Sequence, residues 1–288
     1  MSDAGKRAKR NSGRVSVLLV DNGSLQPAAT RQLRRVAAAL GRRLGRKVEP
    51  VSLLHSNQVP AKNLGGRPAE ILEPAVRRRI QAGGRDFVIV PLFVGPSRAV
   101  AEYLPGRIAE WKQKHPGLRV RVATPLAARG DDRLARLLAD QVRAKLTPAF
   151  RRGGPVRVAL VDHGSPVKAV TLVRNRIAAQ LGRRLGARVA GVAPCSMERR
   201  PGKAQAFNEP LLESLLAVPS WNSGRVIVAQ LFLLPGRHAG PGGDIAAIIR
   251  RAREKNPKLR AVRTKLLGDH PGLIAILAGR FRAAVRRR

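Results

Sequence analysis

Apolar residues occur along this chain in short blocks that end at polar turns. VLLV at 17–20 is followed by DNGS, and VALV at 158–161 is followed by DHGS. A run this short and this uniformly apolar is typical of a strand that is buried on both faces of a sheet. The pattern therefore predicts parallel strands covered by other elements.

A helical pattern follows each predicted strand. In the second half, Leu172, Ile177, Leu181 and Leu185 form an apolar stripe, and the arginines between them are expected to face mostly solvent: Arg174, Arg176, Arg183 and Arg184. We predict further strands near 189–192, 226–233 and 259–262, and helices that begin near Asn208, Asp244 and Asp269. Asn208 and Asp269 are expected to cap their helices. Alternating strands and helices predict an α/β fold with a mainly parallel sheet.

The same pattern occurs twice. AAALGRRLGRKV begins at residue 37 and AAQLGRRLGARV at residue 178, an offset of 141 that also relates DNGS to DHGS. Such a duplication predicts two domains of similar size. We place the N-terminal repeat at 15–150 and the C-terminal repeat at 151–288. The basic segment 1–14 is expected to be a disordered tail.

Composition adds a strong positive charge, with 56 Lys and Arg against 18 Asp and Glu, a formal net charge of +38. This charge favours an acidic partner, although arginines on solvated helix faces explain it equally well. Aromatic residues make up only 3%, and no nucleic-acid-reading motif is present, so we expect no specific nucleic-acid partner. A basic polyanion-binding protein stays open as an alternative.

Cysteine usage and hydropathy restrict the kinds of metal site and the cellular compartment that the sequence predicts. The single cysteine, Cys195, excludes an internal disulfide and a cysteine-cluster metal site. No apolar run approaches the roughly 18 residues that a membrane helix requires. We therefore expect a cytoplasmic protein without a membrane partner.

Two histidines are predicted to meet at the carboxyl ends of the strands in the second repeat. His163 follows the first strand, and His238 lies in a glycine-rich segment after the third. Ligands of parallel sheets collect at this edge, and neutral imidazole binds Fe, Co, Ni and Zn ions. The matching positions in the first repeat are Asn22 and Ala99, so both histidines are missing together. A shared metal site explains this joint absence, and hydrogen-bonded surface histidines are the alternative.

The motifs around these histidines extend beyond the pair. His-Gly-Ser follows the first strand, Leu-Phe precedes Gly-x-His and Asp-Ile after the third, and Asp-His-Pro-Gly-Leu precedes the last helix. Together they resemble the sirohydrochlorin cobalt/ferrochelatase family, the CbiX-like class II chelatases, in its two-repeat form. The resemblance implies two tandem chelatase-like (flavodoxin-like) domains, each a mainly parallel sheet flanked by helices.

The resemblance also implies a lyase reaction. A chelatase of this kind inserts Co²⁺ or Fe²⁺, as a substrate, into sirohydrochlorin or a related tetrapyrrole in cobalamin or siroheme biosynthesis, with no organic cofactor. His163 and His238 would bind the metal and accept pyrrole protons. Glu198 matches the family's acidic metal ligand, and it is alternatively an exposed partner of Arg199 or Arg200.

Substrate carboxylates supply a second set of expected contacts. Arg237, beside His238, and Arg98, at the matching place in the first repeat, are predicted to form charge-assisted hydrogen bonds with them. The N–H groups of Gly164 and Ser165, expected to open a helix, form a further candidate carboxylate site.

Several points stay open at this stage. The segment from His238 to Asp244 is two residues longer than the family pattern, which leaves the tetrapyrrole undetermined. A different tetrapyrrole, nickel as the metal, and a non-catalytic tetrapyrrole or metal carrier are alternatives. His55, His115 and His270 are expected to have no chemical role. The sequence predicts no oligomeric state.

Overall fold

The computed structural model describes residues 15–287 and contains two four-stranded sheets in which every strand pair is parallel. The first sheet has the order β2-β1-β3-β4 and the second the order β6-β5-β7-β8. The strands of the first sheet are β1 (Ser16–Asp21), β2 (Val48–Ser52), β3 (Asp86–Pro91) and β4 (Arg119–Val122). Those of the second are β5 (Val156–Asp162), β6 (Gly191–Ser196), β7 (Gly224–Gln230) and β8 (Leu259–Arg263). The predicted tail at 1–14 lies outside the described residues.

Helices connect consecutive strands, as the sequence pattern predicts. In the first half they are α1 (Pro27–Leu44), α2 (Leu72–Gln81), α3 (Leu104–Lys114), α4 (Arg133–Arg143) and α5 (Pro148–Arg151). In the second half they are α6 (Lys168–Leu185), α7 (Leu212–Leu215), α8 (Asp244–Lys255) and α9 (Gly272–Arg286). The α/β fold of two chelatase-like repeats, each with a parallel sheet and flanking helices, is therefore confirmed.

The central strands are apolar because both of their faces are covered. Residues 17–20 of β1 and 158–161 of β5 are all buried, and each strand pairs with a neighbour on both sides. Burial on both faces removes the alternation of a half-exposed strand. The short apolar runs in the sequence were thus sufficient to place these strands.

Two of the predicted helix starts are wrong. Asn208 ends a 3-10 turn, Lys203–Asn208, and the helix begins only at Leu212. The Asn208 side chain is hydrogen-bonded to the distant Ser165 backbone, so a tertiary contact replaces the expected cap.

The last helix also starts later than predicted. Asp269 lies in a 3-10 turn and α9 begins at Gly272. The Gly272 N–H donates to Nδ1 of His270 at 3.0 Å, so the imidazole of His270 provides the cap that the sequence predicts for Asp269. This contact gives His270 a structural role.

The described residues cluster into two compact units that differ from the sequence repeats in their last helices. One unit contains the chain up to Ala128 together with the segment from Ile274 onward, and the other contains Arg129–Leu273. Helix α4 therefore packs with α6 and β7 of the second sheet. Most of α9 belongs to the unit of the first sheet, where the Arg46 guanidinium lies 5.4 Å from the Phe281 ring centroid.

Within residues 15–287, no helix has both the length and the apolar character needed to cross a membrane.

Replacing Leu138 by alanine tests the assignment of α4 to the second unit. Leu138 is 0% exposed, so the cavity should lower the free energy of unfolding by about 2–5 kcal/mol in urea titrations. Native-state hydrogen exchange should rise in α6 and β7. Leu172 does not belong to the buried stripe predicted for α6, because its side chain is 57% exposed. Leu172→Ala is therefore the control and should change stability by less than about 0.5 kcal/mol. Faster exchange confined to the first sheet would contradict the assignment.

Candidate metal centre

His163 stands at the carboxyl end of β5 with its outer ring nitrogen available. Its Nδ1 lies 3.1 Å from the carbonyl oxygen of Gly164. A carbonyl oxygen only accepts, so this hydrogen bond places the proton on Nδ1 and leaves the Nε2 lone pair for a ligand. The side chain is about half exposed.

The turn after His163 requires glycine at position 164. Gly164 has φ +93°, and a Cβ there would lie 1.9 Å from the carbonyl oxygen of Glu198. The segment after β6 therefore runs directly against this turn, and it places the Glu198 carboxylate 3.4 Å from Nε2 of His163.

His238 lies in the loop between β7 and α8 and is oriented by an acid. Its Nδ1 is 2.6 Å from Oδ2 of Asp244, the first residue of α8. A carboxylate accepts here, so Nδ1 carries the proton and Nε2 is free. The amino-terminal end of the helix also favours the negative charge of Asp244. The sequence motif contained Asp244, but nothing in the sequence assigned it this role.

Gly243 allows the His238 loop to fold back onto α8. A Cβ at this residue would lie 2.5 Å from the carbonyl oxygen of Arg237 and 2.8 Å from that of His238. The Ile245 N–H donates to the His238 carbonyl at 3.1 Å. A residue with a side chain at position 243 would therefore clash with the backbone at Arg237 and His238.

The two imidazole rings meet, as the sequence predicted. Their centroids are 4.7 Å apart and their planes are inclined by 77°. This spacing suits one ion bound by both rings at the usual metal–nitrogen distance of about 2.0–2.1 Å. In the described part of the chain, no group of three or more His, Cys, Asp or Glu side chains has the arrangement of a metal cluster.

The Glu198 carboxylate lies beside His163, and its role as a metal ligand stays a prediction. Arg199 instead pairs with Glu209, with Nε and Oε1 at 2.5 Å. The Glu198 side chain is itself more than half exposed, so a carboxylate beside Nε2 of His163 has room to accept either a proton or a metal ion.

The two arginines predicted to bind substrate carboxylates are both exposed. Arg237 is 80% exposed, with its Nε 3.9 Å from Oδ2 of Asp244. Arg98 is also exposed and lies 3.9 Å from Glu102. Both guanidinium groups are accessible to an acidic ligand, and their binding of substrate carboxylates stays a prediction.

The N–H groups of Gly164 and Ser165 already have partners. They donate to Oδ1 of Asp162 and Oδ1 of Asn208, at 3.1 and 3.0 Å respectively. Helix α6 begins only at Lys168, so the expectation that these residues open a helix is wrong. The carboxylate site at this turn stays a prediction, and a ligand there would have to share or replace these two hydrogen bonds.

The first repeat has the same turn without the histidine pair. Asn22 occupies the place of His163, and Ala99 begins a short π-helical segment, Ala99–Tyr103, in place of the His238 loop. Asp21 precedes Asn22 and is buried, which raises the pKa of its carboxyl to about 6 in spite of hydrogen bonds from Ser52 and the Gly23 N–H.

These features agree with known proteins. The sequence matches the CbiX family model over residues 16–145 and again over 157–284. The chain belongs to the CbiX family. No curated protein has a matching sequence.

Solved structures share the fold of the whole chain. SirB from Bacillus subtilis with Fe³⁺ has a TM-score of 0.71 at 16% identity, with 95% of this chain and 96% of that chain covered. The sirohydrochlorin chelatase SirB from Bacillus subtilis subspecies spizizenii, in complex with cobalt, has a TM-score of 0.69 at 17% identity, with 95% and 97% covered. CbiX, described as the terminal enzyme for biosynthesis of siroheme in denitrifying bacteria, has a TM-score of 0.59 at 20% identity, with 94% and 99% covered.

Replacing Asp244 by asparagine tests its role as the partner of His238. The amide carries less negative charge and can adopt a donor orientation, so the Nδ1–H tautomer loses support. We expect Co²⁺ affinity, measured by equilibrium titration, to fall by about 10–100-fold. Glu254→Gln, on the same helix but paired with Arg250, should leave the affinity unchanged. Equal affinities for Asp244→Asn and the wild type would refute this role.

Replacing Asp21 by asparagine tests the buried carboxyl of the first repeat. Its folded pKa of about 6 exceeds the ordinary value of 3.8, so the unfolded chain loses this proton first and the native state is destabilised as the pH rises from about 4 to 6. Asp21→Asn should therefore be neutral near pH 4 and stabilising by about 2–3 kcal/mol above pH 7, at about 1.36 kcal/mol for each pKa unit.

Urea unfolding at several pH values measures this difference. Asp86→Asn is the control, because it removes the ion pair between Asp86 Oδ1 and Arg121 at 2.6 Å and is not expected to stabilise the protein. A stability difference for Asp21→Asn that does not vary with pH would rule out the raised pKa.

Proposed function

We propose that this protein inserts Co²⁺ or Fe²⁺ into sirohydrochlorin or a closely related tetrapyrrole, as a lyase of the chelatase type. The observation that carries the proposal is the His163–His238 pair, with ring centroids 4.7 Å apart and a hydrogen-bond acceptor at Nδ1 of each ring. A metal ion would therefore bind at the Nε2 atoms. Membership of the CbiX family and the fold shared with SirB and CbiX support the same reaction.

A metal ion bound by only a few protein ligands can be transferred to another molecule. A structural metal is held by a closed set of about four protein ligands, whereas a reacting metal keeps open positions. Two imidazoles, with Glu198 beside one of them, would leave sites for pyrrole nitrogens to replace water. The metal is then a substrate that the protein holds loosely enough to release.

Proton removal must accompany insertion. A divalent ion enters as two pyrrole N–H protons leave, so the products are the metallated macrocycle and two protons. Imidazole accepts protons efficiently near neutral pH. The rings of His163 and His238 lie 4.7 Å apart, and the Glu198 carboxylate at 3.4 Å from Nε2 of His163 would stabilise the imidazolium that forms.

Positive charge would attract the substrate. Sirohydrochlorin is a polycarboxylate, and a protein with a formal charge of +38 accelerates its encounter with such a ligand, most strongly at low salt. Arg237 beside His238, and Arg98 in the first repeat, are the guanidinium groups that we propose to pair with its carboxylates.

Alanine substitutions of the two histidines test the proposal. His163→Ala and His238→Ala should each lower the rate of metal insertion by at least about 100-fold, because each removes a metal ligand and a proton acceptor. The rate is read from the absorbance change of sirohydrochlorin with Co²⁺ or Fe²⁺. Asn22→Ala and His270→Ala, at the matching position and at a structural histidine, should retain most of the wild-type rate.

Two outcomes would contradict the proposal. Equal rates for the wild type and His238→Ala would refute the site. Tight binding of metal and tetrapyrrole by the wild type without any insertion would instead indicate a carrier.

A further inference from the structure

Helix α6 carries a buried arginine whose partners lie around the His163 turn. The prediction that Arg174 faces solvent is wrong: its side chain is 1% exposed and is the largest fully buried one in the described part of the chain. A buried guanidinium is destabilising unless other groups hydrogen-bond to it. Its Nη1 donates to the carbonyl oxygen of Asn208 at 2.9 Å and to Oγ of Ser196, and lies 3.6 Å from Oδ1 of Asp162.

One of these partners holds the near side of the turn. Oδ1 of Asp162 accepts hydrogen bonds from the Gly164 N–H at 3.1 Å and from Oγ of Ser196 at 2.7 Å. Asp162 and Gly164 are the residues on either side of His163. The backbone that carries the imidazole is therefore attached to the group that faces Arg174.

Another partner holds the far side of the turn. The Asn208 side chain accepts from the Ser165 N–H at 3.0 Å and donates to the Ser165 carbonyl at 2.9 Å. Arg174 binds the main-chain carbonyl of the same asparagine. A single guanidinium thus connects both ends of the segment 162–165, although it does not contact His163 itself.

The first repeat builds the same turn with no arginine at the position of Arg174. The next residue of α1, Arg34, donates to the main-chain carbonyls of Leu64, Arg67 and Pro68. Leu33 occupies the position of Arg174, and Ser56 takes over the contact to the turn, with Oγ accepting from the Ser24 N–H at 3.1 Å and donating to Oγ of Ser52 at 2.9 Å. A leucine therefore satisfies the fold at this place. The arginine occurs in the repeat that also carries the histidine, and this coincidence points to a role beyond folding.

We propose that Arg174 is a positioning residue for metal transfer, which fixes the turn at 162–165 so that His163 faces His238. The inference rests on the proposed function and adds a group that acts through other residues. A site held rigidly by buried contacts binds its ligand without first having to order the turn.

Arg174→Leu is the direct test, because it installs the residue of the first repeat. The variant should fold, with a circular dichroism spectrum like that of the wild type. Co²⁺ affinity, titrated without tetrapyrrole, should fall by at least about tenfold, as for other outer partners of metal ligands. The kcat for insertion should fall as well, while the KM for sirohydrochlorin stays within about twofold. Arg174→Lys keeps the charge and should recover part of the Co²⁺ affinity.

Leu181→Ala is the matched control on the same helix. Leu181 is fully buried and lies outside the hydrogen-bond network, so its replacement should lower the unfolding temperature without changing Co²⁺ affinity. If Arg174→Leu leaves Asp162 as a lone buried charge and does not fold, the double variant Arg174→Leu/Asp162→Asn removes both charges and is expected to show the same loss of affinity.

The outcomes separate this inference from the function on which it rests. A folded single or double variant with wild-type Co²⁺ affinity and kcat would overturn the positioning role and leave the chelatase proposal standing. A wild-type protein that inserts no metal would overturn the chelatase proposal, and the inference with it.

Discussion

Parallel pairing between β5 and β7 is the constraint on which the candidate centre depends. The two strands are adjacent in the second sheet and run in the same direction, with Val161 opposite Gln230. Whatever follows them along the chain must emerge at one edge, a few ångströms apart. His163 follows β5 directly, and the loop that begins after β7 contains His238. The main-chain ladder thus brings together two imidazoles that are 75 residues apart in sequence.

Neighbouring hydrogen-bond acceptors then determine which ring nitrogen of each imidazole carries the proton. A carbonyl of the turn and a carboxylate at the start of α8 each accept from Nδ1, so both Nε2 atoms are available for a metal ion or a proton. Close backbone approaches at Gly164 and Gly243 make both contacts possible. The chemistry of the centre is therefore a property of loops, and the sheet supplies their rigid base.

The two repeats share their sheet topology and differ in the residues around the turn after the first strand. Both halves have the same strand order, and an aspartate ends each first strand opposite a serine of the neighbouring strand. In the first half, Asp21 is buried and its carboxyl pKa rises to about 6, while Leu33 takes the sequence position of Arg174. In the second half, Arg174 faces Asp162 and adjoins the histidine turn. Under the proposed function, the second repeat would hold the metal ion and the first repeat would be the same scaffold without that site.

The sequence by itself determined the duplication, the parallel sheets and the pairing of His163 with His238, because local apolar runs and a repeated motif encode strand position directly. Only the tertiary structure revealed Asp244 as the partner of His238, the Arg174 network, and the exchange of α4 and α9 between compact units. The roles of Asn208 and His270 were likewise decided by side-chain contacts that no local pattern carries. Each of these features joins residues distant in sequence or depends on the direction of a side chain. Helix propensity and hydrophobic periodicity are local properties of the sequence and predict neither.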